Sequence, residues 1–224
     1  MGTIQDDAVS RRPRGRGGRW RAAWLLAASF TALASSACGQ DAAESAPVRI
    51  TYYISPGEDG SRFRETDPEL ATWALRAWER AADGLLSLVP GTEEDAVLRV
   101  YWVPAAAGQY GEMRPVLVNG RPVGAEVYIR PDTDSLGPEI GGRARTDELF
   151  RDTVVYLTCL HEIGHALGLA HTAEFEDVMY SFVFGGDIPA FFGRYRDQLS
   201  TRADIANVSG LSTGDVARLR SIYR

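Results

Sequence analysis

His161-Glu162-Ile163-Gly164-His165-Ala166-Leu167-Gly168-Leu169-Ala170-His171 is the stretch on which the reading turns, and it holds every histidine of the 224-residue chain. On a helix, His161 and His165 stand one turn apart, so both imidazoles project from one face and can grip one ion. Gly168 tolerates the left-handed backbone that ends a helix and doubles the chain back. His171 then returns as a third nitrogen. Three neutral imidazoles suit zinc better than other divalent ions, and they leave a fourth position for water, as in a catalytic site. Glu162 lies beside His161, where a carboxylate can reach that water without ligating the metal. The competing reading is an amphipathic helix with chance histidines. From average residue usage, such a five-point match arises in on the order of one chain in 10⁵.

Working outward, Asp147 to Leu167 predicts a long helix packed through Leu149, Phe150, Val154, Leu157, Leu160 and Leu167. Val48, Ile50, Tyr52 and Ile54 alternate with polar or aromatic neighbours and predict a half-buried strand. Thr66-Asp67-Pro68-Glu69 is a helix start, followed by Leu70, Trp73, Ala74, Ala77, Trp78 and Ala81 at helical spacing, with Gly84 or Pro90 as the stop. Val97–Val103 and Ala125–Arg130 read as two further strands. Between them, Val116 to Gly120 predicts a hairpin turn on Asn119-Gly120. Pro115 and Pro122 flank it, and proline cannot donate to a ladder, so this stretch belongs at a sheet edge. Ser212 caps a last helix, Asp215 favours its positive end, and Val216, Leu219 and Ile222 are expected to face the core. Cys159 reads as a small buried hydrophobe, because no histidine is free to activate it.

The histidine motif, with Met179 eight residues past His171 in Asp177-Val178-Met179-Tyr180, resembles the metzincin zinc peptidases, and the matrixin branch in particular. The resemblance covers most of residues 47–224. It implies an α/β metzincin fold, with a twisted mixed sheet, an edge strand for substrate, an active-site helix and a small C-terminal subdomain. It implies zinc held by His161, His165 and His171, Glu162 as general base, and Met179 in a methionine turn below the metal. Tyr180 directly follows that methionine, as in matrixins, and reads as packing. Phe182, Phe184, Phe191, Phe192 and Tyr195 fall where metzincins build a wall of the pocket beyond the scissile bond. Asp132, Asp134 and Glu139 follow the third strand, where matrixins often bind calcium; a solvated acidic loop is the other reading. The chain departs from the pattern in three ways. It has no cysteine-switch propeptide, no extra histidines for a second zinc, and a long segment between Ser181 and Gly210.

Composition sets the wider frame. Apolar residues make up 45% and charged residues 24%, an ordinary globular balance. Every basic residue is arginine. Residues 1–37 hold six arginines and two aspartates, which leaves 18 basic against 28 acidic residues and so a strongly acidic remainder. That argues against nucleic-acid binding, which needs a basic footprint. Arg11 to Arg21, the apolar stretch Ala22–Ala34 and the small residues Ser35, Ser36 and Ala37 follow the order of a signal peptide over residues 1–37. Cys38 comes next and resembles a lipoprotein acylation site and mature N-terminus. Residues 38–46 read as a tether, and 47–224 as one catalytic domain. Two locations stay open, a cell-envelope lipoprotein (outer membrane or cell surface) and free secretion. A membrane partner is expected only through that lipid.

The expected activity is zinc-dependent hydrolysis of peptide bonds in a peptide or protein substrate. The alternatives are a zinc-bearing surface binding module without catalysis, and a peptidase restricted to one small peptide. Because the tether is short and has no cysteine after Cys38, activity is expected without a proteolytic activation step.

Overall fold

Residues 46–57, 60–105 and 110–224 are described by the structure, a computed structural model; the expected signal segment, residues 1–37, and Cys38 lie outside them. The chain starts with β1 (Val48–Ile54), as its alternation requires. Next comes α1 (Asp67–Ala82), which ends where Asp83 and Gly84 take left-handed φ values of 54° and 84°. Three strands follow directly or after short loops, β2 (Leu86–Pro90), β3 (Leu98–Trp102) and β4 (Gly111–Val118). β4 folds back through Asn119-Gly120 onto β5 (Arg121–Ile129), and both turn residues have positive φ. Then come α2 (Pro138–Thr146), α3 (Glu148–Ala166), α4 (Ile188–Arg196) and α5 (Thr213–Tyr223).

The sheet has the order β2-β1-β3-β5-β4. Four strands run parallel, and β4 runs antiparallel to β5 at the edge. This is the mixed α/β sheet with a proline-containing edge strand that the sequence predicts. One face of the sheet, carried by Val100, Trp102, Val127 and Ile129, joins the core with Leu70, Ala74 and Trp78 of α1 and Phe150, Val154, Leu160 and Ile163 of α3, all of them buried. α3 is buried almost all round, so apolar burial fixes it firmly under the sheet.

Charge reinforces this packing. Asp67, fully buried at the start of α1, accepts from the backbone N–H of Arg64 at 2.9 Å and forms a two-pronged pair with Arg151 of α3. Arg151 also contacts Asp152, which takes Arg202 at 2.9 Å; Arg202 in turn reaches Glu69 at 2.5 Å. The network ties α1, α3 and the chain after α4 together.

Several details depart from the sequence expectations. Thr66 makes no side-chain cap; the Asp67 carboxylate organises the turn instead. β2 was not expected, because its five residues follow the helix with only a reversal between them. α2 and α4 are short amphipathic helices in stretches the periodicity left unassigned. In α5, Leu219 faces the core but Ile222 is 45% exposed, and Tyr223 packs inward in its place.

Replacing Asp67 with Ala would leave the Arg151 guanidinium buried without its main partner, which typically costs about 3–5 kcal/mol. The denaturant midpoint of Asp67→Ala should fall accordingly; a change below about 1 kcal/mol would mean the pair is dispensable.

Candidate active site

The histidine motif spans the end of α3 and the turn beyond it. α3 stops at Ala166, and Gly168, with φ +97°, lets the backbone reverse: Gly168 N–H bonds His165 O and Leu169 N–H bonds Gly164 O, both near 3.0 Å. That reversal carries His171 back over the helix. The three Nε2 atoms then stand 3.1–3.2 Å from one another. Among the described residues, this is the one group of three or more His, Cys, Asp or Glu donors close enough to share an ion.

Hydrogen bonding sets the tautomers. His161 Nδ1 lies 2.7 Å from Val178 O, and His165 Nδ1 lies 2.8 Å from Leu169 O. A carbonyl oxygen only accepts, so each Nδ1 carries the proton. A neutral ring then has a bare lone pair at Nε2. Burial pushes His161 down to about 4, and His171 is also lowered by desolvation, so these rings are neutral near pH 7. Bare lone pairs 3.2 Å apart repel unless a cation lies between them. Zinc fits: with Zn–N bonds of ~2.0–2.1 Å, tetrahedral geometry sets nitrogen neighbours about 3.3 Å apart.

The turn that follows is held from behind. Thr172 N–H bonds Met179 O, and Ser181 N–H bonds Thr172 O. Met179 is fully buried beneath the histidines, against Gly164. A Cβ at Gly164 would fall 2.4 Å from the Met179 sulfur and 3.0 Å from Trp78, so glycine is required between the two helical histidines. Trp78 itself donates from Nε1 to Leu160 O at 3.0 Å. Asp215, fully buried in the first turn of α5, accepts from the Val178 N–H at 2.8 Å. The carbonyl of the same Val178 orients His161. The sequence reading treated Asp215 only as a helix-end charge; its reach to Val178 depends on tertiary packing and leaves no local pattern.

Glu162 is buried at the other side of the cleft. Gly111, the first residue of β4, lies over it: a Cβ there would come within 2.7 Å of Glu162 Cγ and 2.9 Å of Thr158 Cγ2. Burial pushes the Glu162 carboxyl up to about 7, while Arg130 pulls the other way. A group so placed can exchange a proton near neutrality. Beside it is a cavity of about 190 Å³ lined by Tyr110, Leu157, Val178, Tyr180, Phe182, Phe191 and Phe192 among others. Tyr180 is a wall residue whose hydroxyl donates to Gly185 O at 2.8 Å. Phe184 points outward and is not part of the wall. Tyr195 stacks on Tyr156, away from the cleft.

The remaining candidates lie elsewhere. Cys159 is buried, and that burial raises its thiol well above the ordinary range, as suits an inert residue. Asp132, Asp134 and Glu139 do not converge on one point. Asp134 is held by Arg62 at 2.6 Å and Arg145 at 2.5 Å, and Asp132 pairs with Arg62 at 3.4 Å. Guanidinium groups supply positive charge to these carboxylates.

The matrixin family model, peptidase family M10, matches residues 44–189. Interstitial collagenase from Sus scrofa is 41% identical over 59 residues, covering 23% of this chain and 13% of that protein. Stromelysin-1 from Mus musculus is 32% identical over 113 residues, covering 48% of this chain and 21% of that protein. The matches thus span only 13–21% of these relatives' own length. An archaemetzincin from Methanopyrus kandleri aligns over 81% of this chain and 98% of its own, with a TM-score of 0.41 and 15% identity.

Asp215→Ala should loosen the Val178 carbonyl that orients His161. Removing such an outer partner typically lowers metal affinity about 10–100-fold. Competition with a chromophoric chelator measures this; unchanged affinity in a folded variant would show that Asp215 serves the fold alone.

Proposed function

The chain belongs to the matrixin family, and from that premise we propose that it is a zinc-dependent endopeptidase. The observation that carries the reading is the meeting of three Nε2 atoms, 3.1–3.2 Å apart, beside a buried carboxylate, on the rim of an apolar cavity. His161, His165 and His171 would hold the ion. Zinc in such a site supplies a Lewis acid for the scissile carbonyl and lowers the pKa of water towards ~7.

The chain's own residues do the rest. Glu162 accepts the proton of the attacking water and passes it to the leaving amine. Gly111 keeps the edge strand close over Glu162 and narrows its access to water. The ladder of β4 supports an extended substrate. Arg130 N–H bonds Tyr110 O at 2.9 Å, so the next residue, Gly111, turns its amide and carbonyl outward, and alternation does the same at Met113 and Pro115. Pro115 has no N–H, so a peptide beside β4 finds no donor at that position. The cavity has room for one apolar side chain, next to the bond cut.

Glu162→Gln should retain zinc and lower kcat by about 10²–10⁴, as expected for loss of a general base. A wild type as inert on a broad peptide library as this variant, yet binding one partner equally well, would instead favour the non-catalytic binding module. Activity lost to a chelator should return with zinc and not with magnesium. Cleavage-site profiling should show medium-sized apolar residues on the carboxyl side of the cut bond; charged residues there would contradict the cavity assignment.

Widening the cleft floor gives a further test. Gly111→Ala forces β4 off Glu162, and a displacement of about 1 Å at a reacting centre costs on the order of 10²-fold in rate. An unchanged kcat would show that the strand is not packed against the working carboxylate.

A further inference from the structure

The two ends of the sheet differ in character. Tyr52 pairs with Leu98 and Leu98 with Ala125, so the parallel strands β1, β3 and β5 start at one end. Counting along that register, Val48 lies level with Arg121, and Val118 pairs with Arg121. The cleft is at the opposite end, where Gly111 pairs with Ile129. From Gly111 to Val118 the strand is eight residues long and rises about 24 Å.

Five of the eight large apolar side chains left exposed among the described residues gather at the starting end: Val48, Val97, Leu117, Val118 and Val123, each 42–55% exposed. The hairpin from Leu117 to Val123 projects beyond the core and is exposed throughout. Its only charge is Arg121. Edges of this kind are ordinarily blunted with several charges, and a cluster of apolar residues left open usually marks a contact surface.

We propose that the hairpin at this end of the sheet is a lipid-contact surface, which seats it in the interface of a zwitterionic membrane and directs the cleft away from it. The chain itself selects lipid over protein. It enters the domain at Val48, at this same end, and the sequence upstream carries the apolar export stretch and Cys38. Cys38 is ten residues before Val48, a reach of at most about 33–36 Å. An N-terminal hold on a membrane therefore delivers the hairpin end, while the apolar hairpin fixes orientation. With one charge in the hairpin, apolar insertion rather than attraction to anionic headgroups carries the contact, so salt should change it little. This inference does not depend on the peptidase reading, and either can fail alone.

The test uses the full exported chain carrying Cys38→Ala, with phosphatidylcholine vesicles and a nitroxide attached through Val118→Cys; Cys159 is buried and will not label. Val183→Cys, on the turn beside the cleft, is the control. The label at 118 should collide more readily with oxygen than with a water-soluble nickel complex, and the label at 183 the reverse. Leu117→Ser/Val118→Ser/Val123→Ser should lower vesicle partitioning of a Cys38→Ala chain about ten-fold or more, since burial scales with apolar area. Equal water exposure of both labels would overturn the proposal. So would absence of vesicle binding by the Cys38→Ala chain, or protection at 118 that appears only at high protein density, which would indicate a second copy.

Discussion

A single hydrogen bond joins the parts of this molecule that must act together. His161 Nδ1 donates to Val178 O at 2.7 Å, across seventeen residues of sequence. It fixes the tautomer of His161, points its Nε2 at the two other imidazoles, and locks the methionine turn to the end of α3. Val178 is held in turn by Asp215 from α5. The C-terminal helix is thereby coupled to the ion-binding face.

The rest of the fold keeps that bond in place. Trp78 and Met179 pack against Gly164 from two sides, and no side chain would fit between them. The Asp67–Arg151 pair holds α3 against α1, and the buried face of the sheet presses on both. A rigid helix of this kind suits a site in which three nitrogens must meet within a few tenths of an ångström. The cost is local: one glycine in the last turn of α3, where glycine weakens a helix by up to roughly 1 kcal/mol relative to alanine.

Much of this was legible in the residues. The spacing of His161, His165 and Gly168 gave the helix, its stop and the return of His171, because each follows from backbone geometry alone. Asn119-Gly120 and Pro115 likewise announced the hairpin and the edge. What stayed hidden depends on contacts between distant segments. β2 follows α1 after a three-residue reversal and blends into its apolar tail. Asp215 looks like any helix-start aspartate until Val178 is seen beside it. The pairing of Asp132 and Asp134 with Arg62, and of Asp134 with Arg145, likewise leaves no local pattern. Ile222 fits the helical period of α5, but the helix rotates to bury Tyr223.

The central claim is that three neutral imidazoles share one zinc ion and leave a position open. X-ray absorption at the zinc edge, on the full chain loaded with one equivalent of zinc, tests it most directly. The account predicts three imidazole nitrogens at ~2.0–2.1 Å with a light oxygen scatterer in the remaining position. A sulfur neighbour at ~2.3 Å, or a shell of oxygen atoms without imidazole, would contradict it.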